Sequence, residues 1–227
     1  FISSKHQAAT VHTLCFSALF KQIIQVGPNH KIQVFDLETG LVVCQFDVPQ
    51  DYGAPTTARL DHAGKRLVVA CNELKIMLDL SHMTEKGFDD VAALSTAPLV
   101  ATHSNAHAIT QSSRNLTDRQ LAMIAESKGM VGLNFATVFL RPDGRQSPDM
   151  GWEPVLQHLD HLIAKLGEDH VGLGSDFDGA TVPQGIGDVT GLPALQQAML
   201  DHGYGADLVR KISCDNWLAL LDRTWTA

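Results

Sequence analysis

Apolar and polar positions follow two rhythms along the chain. From about His12 to Val48 the apolar runs are short: Lys21–Val26, Lys31–Leu37 and Leu41–Asp47 are rich in Ile, Val and Phe. Gly27-Pro28-Asn29 and Glu38-Thr39-Gly40 separate them. Short β-branched runs between turn residues predict an antiparallel meander. Residues 49–57, with Pro49, Gly53 and Pro55, read as a linker. The sequence therefore divides into a β-rich segment with its linker over 1–57 and a second unit over 58–227.

From Asp61 onward the rhythm becomes helix, strand, helix, strand. Residues 62–74 place Leu67, Val68, Cys71 and Leu74 on one helical face, with Asp61 as the cap. Lys75–Leu80 reads as a buried strand, and a helix follows over about 84–95. Pro98–Thr102 is the next strand. Thr117 and Gln120 have the spacing of a capping box, opening a helix that runs to Lys128 before Gly129. Met130–Phe135 is a third strand. Trp152, Val155, Leu156, Leu159, Leu162, Ile163 and Leu166 form one stripe of an amphipathic helix closed by Gly167. His170–Gly174 is the fourth strand, and helices fill most of 192–222, with Pro193 in a first turn. Continuous apolar strands alternating with helices imply parallel βαβ units. Four such units make half of a (β/α)8 barrel or a small open sheet.

Composition narrows the class. The formal net charge is −8 and the basic residues are scattered singly, which argues against nucleic acid as a partner. No apolar run reaches the roughly 20 residues of a membrane span. The four cysteines, Cys15, Cys44, Cys71 and Cys214, include no CxxC pair. They read as reduced, mostly buried thiols, which points to the cytoplasm.

Candidate chemistry collects where parallel strands end, the usual place for function in α/β folds. The four predicted strands run into Asp79-Leu80-Ser81-His82, Thr102-His103-Ser104-Asn105, Asn134 and Ser175-Asp176-Phe177-Asp178-Gly179. Histidines on neighbouring strands, about 4.8 Å apart, can share one metal, and neutral imidazole with a carboxylate suits zinc. His82, His103 and Asp176 are thus expected to converge. His158-Leu159-Asp160 has ligand-like spacing but lies on the amphipathic helix, where residues two apart do not share a face. It is rejected as a ligand pair, and His161 and His170 are assigned structural roles.

Three stretches carry a resemblance: "CNELKIMLDLSHM" (71–83), "ATHSNAHAITQSSRN" (101–115) and "HVGLGSDFDG" (170–179), continued by the terminal "NWLALLDRTW". From about Arg59 to Trp225 the chain resembles the zinc-dependent renal (membrane) dipeptidases. That resemblance implies a TIM-barrel metallohydrolase that cleaves dipeptides with metal-activated water. It also implies that His82 and His103 bind one Zn2+ of a two-zinc site, Arg114 grips the substrate carboxylate, Asp176 handles protons, and Asn134 lines the substrate pocket. The family's first barrel half supplies further groups: a His-x-Asp pair, a bridging glutamate and another histidine. Residues 1–57 hold no His-x-Asp, Glu38 is their only glutamate, and His6, His12 and His30 lack the expected context. At most one zinc per chain, reduced activity and a possible homo-oligomer are therefore expected. The competing reading is a non-catalytic interaction module, because "HKIQVFDLETGLVVCQF" (30–46) resembles one element of a β-propeller repeat.

Overall fold

The computed structural model describes residues 13–17, 22–26, 31–36, 42–47 and 62–226. The first four stretches are strands β1 (Thr13–Ser17), β2 (Gln22–Val26), β3 (Lys31–Asp36) and β4 (Val42–Asp47). They pair antiparallel in sequence order, β1-β2-β3-β4, with one register shift at Val34/Phe35. This is the meander that the turn-punctuated apolar runs predict. His6, His12, His30, Glu38 and the predicted cap Asp61 lie outside the described residues.

The second unit follows the helix–strand rhythm: α1 (His62–Glu73), α2 (Glu85–Leu94), β5 (Val100–Ala101), α3 (Asp118–Glu126), β6 (Met130–Leu133), α4 (Thr137–Leu140), α5 (Glu153–Leu166) and β7 (Val171–Leu173). It ends in α6 (Leu192–His202), α7 (Ala206–Arg210), one π turn over Lys211–Asp215, and α8 (Asn216–Thr226). Strands β5, β6 and β7 form a parallel sheet in that order. The fold is mixed α/β, with every β6 residue buried as expected of a strand covered on both faces.

Local sequence explains the helix ends. Thr117 Oγ1 accepts from the Gln120 N–H while the Gln120 side chain accepts from the Thr117 N–H at 2.9 Å, a closed capping box on α3. Thr84 caps α2 by accepting from the Gly87 N–H. Gly167, with φ +87°, ends α5 in a conformation that costs other residues more. The α5 stripe buries Val155, Leu156, Leu159, Leu162 and Leu166 in the main core, against Leu121, Ile124, Val131 and Val171.

Two expectations change. Lys75–Leu80 is not a strand: only Asp79 makes a parallel bridge, to Val100, and the Leu80 N–H donates to the Val100 carbonyl. A ladder cannot outrun its partner, and β5 is two residues long. Ile76 and Leu80 still bury their side chains, so the apolar run reported burial rather than strand length. On α1, Val68 and Cys71 face the core, but Leu67 and Leu74 are 38% and 42% exposed. Cys71 is a buried thiol and Cys214 an exposed one. Among the described residues no helix is long and apolar enough to cross a membrane.

Candidate active site

Three strand ends build the site. After the Asp79 bridge the chain turns sharply, and His82 takes a left-handed backbone with φ +67°. Beyond β5, His103 emerges with its N–H donating to Ser81 Oγ at 3.0 Å. The two imidazole rings lie 5.0 Å apart between centroids, tilted by 58°. Beyond β7, Ser175 and Asp176 are also left-handed, with φ +29° and +66°. Such conformations in non-glycine residues persist only where the surroundings hold them.

Asn134, at the end of β6, ties these ends together. Its Nδ2 donates to Asp176 Oδ2 at 2.9 Å and to the His103 carbonyl at 3.3 Å. Its Oδ1 accepts from the Ala136 N–H. Asn105 clamps its backbone: the Asn105 carboxamide accepts from the Asn134 N–H at 2.9 Å and donates to the Asn134 carbonyl at 3.0 Å. A side chain here imitates the next step of the ladder. Asn134 is 1% exposed and Asn105 fully buried.

Arg114 reaches the same point from the loop after β5. One terminal nitrogen donates to His82 Nε2 at 3.2 Å and to the His103 carbonyl at 3.3 Å. The guanidinium lies 5.2 Å from the Phe139 ring centroid. Its Nε is buried without a protein hydrogen-bond partner. Burial lowers the His82 pKa, reinforced by Arg114 and His103 and opposed by Asp176 and Asp79. His82 is therefore neutral at physiological pH, and its Nε2 lone pair accepts the Arg114 hydrogen bond. A cavity of about 540 Å³ adjoins His82 and Arg114, with Met83, Phe88, His107 and Ser112 among its walls. Its size lies within the usual range for small-molecule sites.

All five residues singled out from sequence thus meet: His82 and His103 ring to ring, Arg114 on both, and Asn134 joining His103 to Asp176. A metal could draw on these two imidazoles only once Arg114 releases His82 Nε2. Among the described residues, no group of three or more His, Cys, Asp or Glu is arranged to hold one. Asp178, also left-handed at φ +64°, leads into the turn before Gly179. The two residues of the rejected pair have different surroundings. His158 is buried in the core, whereas Asp160 accepts from Tyr204 Oη at 2.6 Å on the surface.

The sequence reading gave no role to Asp79, Thr102 or Asn105. Asp79 Oδ1 accepts from the Ser81 and Thr102 N–H groups, each at 2.9 Å. Its Oδ2 accepts from Thr102 Oγ1 at 2.6 Å, and Thr102 Oγ1 lies 2.7 Å from His103 Nδ1. The available signal was a carboxylate at the end of the strand neighbouring a candidate ligand histidine, a common support for such ligands.

The membrane dipeptidase family (peptidase family M19) matches residues 46–226, beginning within β4 and including the predicted linker. An uncharacterized protein in the pqqA 5′ region of Klebsiella pneumoniae is 49% identical over 174 residues, covering 76% of this chain and 64% of that protein. A metallo peptidase from Rhodobacter sphaeroides, solved with a phosphinate mimic of the dipeptide L-Ala-D-Ala, is 74% identical with a TM-score of 0.74. That match covers 76% of this chain and 50% of the other. A solved dipeptidase AC, a metallo peptidase of family M19, is 71% identical with a TM-score of 0.74, covering 81% and 54%. The chain thus spans about half to two thirds of the length of these relatives. By the extent of the match, the chain belongs to the membrane dipeptidase family, peptidase family M19.

Proposed function

We propose that the protein is a zinc-dependent dipeptidase, and that the described unit contributes one half of a (β/α)8 barrel. The observation that carries this reading is the meeting of His82, after the Asp79 bridge, and His103, after β5, with ring centroids 5.0 Å apart and Arg114 bonded to both residues. When bound, zinc supplies the Lewis acidity that activates water and polarises the peptide carbonyl. His82 and His103 would hold it. Arg114 would release His82 Nε2 to the metal and turn its planar guanidinium to the substrate carboxylate. Asp176 would move a proton between water and the departing amine. Asn134 would hold the Asp176 carboxylate rather than touch substrate, because its carboxamide is buried and bonded within the protein.

Dipeptides are the proposed substrates, L-Ala-D-Ala among them. The support is the Rhodobacter relative, whose phosphinate ligand mimics that dipeptide. The two histidines supply part of one coordination shell, so we propose at most one zinc per chain. Hydrolysis should then be well below that of a relative with a complete two-metal site. The family match over residues 46–226 weighs against a purely non-catalytic interaction module. The test is zinc content per purified chain, measured beside L-Ala-D-Ala hydrolysis. Zinc binding that His82→Ala abolishes, with slow turnover, is the expected result. Two zincs per chain with fast turnover would refute the one-metal assignment. No zinc and no turnover would refute the enzyme reading.

A further inference from the structure

We infer that Asp79, acting through Thr102, is a positioning residue that fixes the tautomer of His103 and thereby chooses which imidazole nitrogen can meet a metal. The inference rests on the dipeptidase reading only where it concerns metal; the tautomer follows from hydrogen-bond directions alone. Asp79 as a carboxylate can only accept. The single hydroxyl proton of Thr102 therefore goes to Asp79 Oδ2, at 2.6 Å. Thr102 Oγ1 must then accept across its 2.7 Å contact with His103 Nδ1, so Nδ1 carries the ring proton. That leaves Nε2 with the lone pair. Asp79 Oδ2 itself is 3.8 Å from Nδ1, beyond a direct hydrogen bond, so the threonine hydroxyl is the necessary link.

The rest of the carboxylate fixes how a substitution would act. Asp79 Oδ1 accepts two backbone N–H groups, from Ser81 and Thr102. In Asp79→Asn the amide oxygen must stay at that position, because two donors face it. The amide NH2 is then forced toward Thr102 Oγ1. The threonine now accepts from Asn and turns its own proton to His103 Nδ1. His103 should flip to the Nε2–H tautomer, and Nε2 loses its lone pair. A change of one atom, with little change of shape, would reverse the ligand nitrogen.

The experiment uses the full 227-residue chain without added metal. Two-bond proton–nitrogen correlation spectra of the imidazoles are recorded above the ordinary histidine titration range, with His103→Gln assigning the resonance. Zinc affinity is measured separately by chelator competition. Wild type should show His103 protonated at Nδ1, and Asp79→Asn should show it protonated at Nε2. Zinc affinity should fall about 10- to 100-fold, as for other lost supports of a ligand histidine. Thr102→Val should give mixed tautomers, and Thr102→Ser should restore the wild-type spectrum. These two variants decide the matter if Asp79→Asn does not fold. An Nε2–H tautomer in wild type would overturn the inference, as would an Nδ1–H tautomer retained in both Asp79→Asn and Thr102→Val. Tautomers that behave as stated in a chain that binds no zinc would uphold the hydrogen-bond relay and refute the dipeptidase reading.

Discussion

Acid should destabilise this protein through His158. The ring is fully buried; its Nδ1 accepts from the Ala106 N–H at 3.1 Å, so Nε2 carries the proton, 3.2 Å from the Leu140 carbonyl. Protonating Nδ1 would turn an acceptor into a donor facing a donor, inside the core. Burial, with a smaller push from His161, lowers its pKa from 6.5 to about 4, against the Leu140 hydrogen bond. The folded value lies below the unfolded one, so the stability is fully present above 6.5 and is lost as pH falls toward 4, where the loss levels off. At pH near 5 the unfolded imidazole is almost wholly protonated and the folded one almost wholly neutral, a difference on the order of 2 kcal/mol. That is a sizeable share of an ordinary domain's stability. Urea unfolding of wild type and His158→Asn at about pH 7.5 and about pH 5 isolates the effect. Asparagine keeps an acceptor for the Ala106 N–H and does not titrate. Wild type should lose about 2 kcal/mol more than the variant between the two conditions. Equal losses would refute the reasoning.

Other perturbations have defined outcomes. Thr117→Ala opens the capping box of α3 and should cost about 1 kcal/mol, read as a lower urea midpoint at unchanged slope. Gly132→Ala would place a Cβ 2.0 Å from the Thr102 carbonyl oxygen and 2.9 Å from Gly174 Cα, so it should cost about 3 kcal/mol or more and lower soluble yield. Arg114→Lys keeps the charge but loses the fork. If Arg114 grips the substrate carboxylate, KM for dipeptides should rise roughly 10- to 100-fold with a smaller change in kcat. C-terminally amidated dipeptides should show little difference.

Much of this architecture was legible because the relevant physics is local. The α5 stripe and the capping box at Thr117 follow from spacing along one helix, and both are present. Strand ends could be placed because apolar runs stop where burial stops, which put His82, His103, Asn134 and Asp176 near one another. What failed was non-local. The length of the Lys75–Leu80 strand depends on its partner β5, which hydropathy does not report. The exposure of Leu67 and Leu74 depends on which elements pack beside α1. Asp79, Thr102 and Asn105 escaped notice because the bonds that join Asp79 to Thr102 and Asn105 to Asn134 span 23 or more residues. Hydrogen-bond direction across such distances is settled by the fold.

The left-handed turns at His82, Ser175 and Asp176 have a consequence for anyone wishing to move this site. Each costs of order 1–3 kcal/mol and persists only because its surroundings hold it. Copying the side-chain identities onto regular strand ends of another protein would aim the rings and the carboxylate elsewhere, since an extended backbone sends its Cβ atoms in other directions. A transplant would have to carry the turns, the Asn105 and Asn134 carboxamides that brace them, and the close-packed glycines beneath. What has to be moved is the braced backbone, because it aims the side chains.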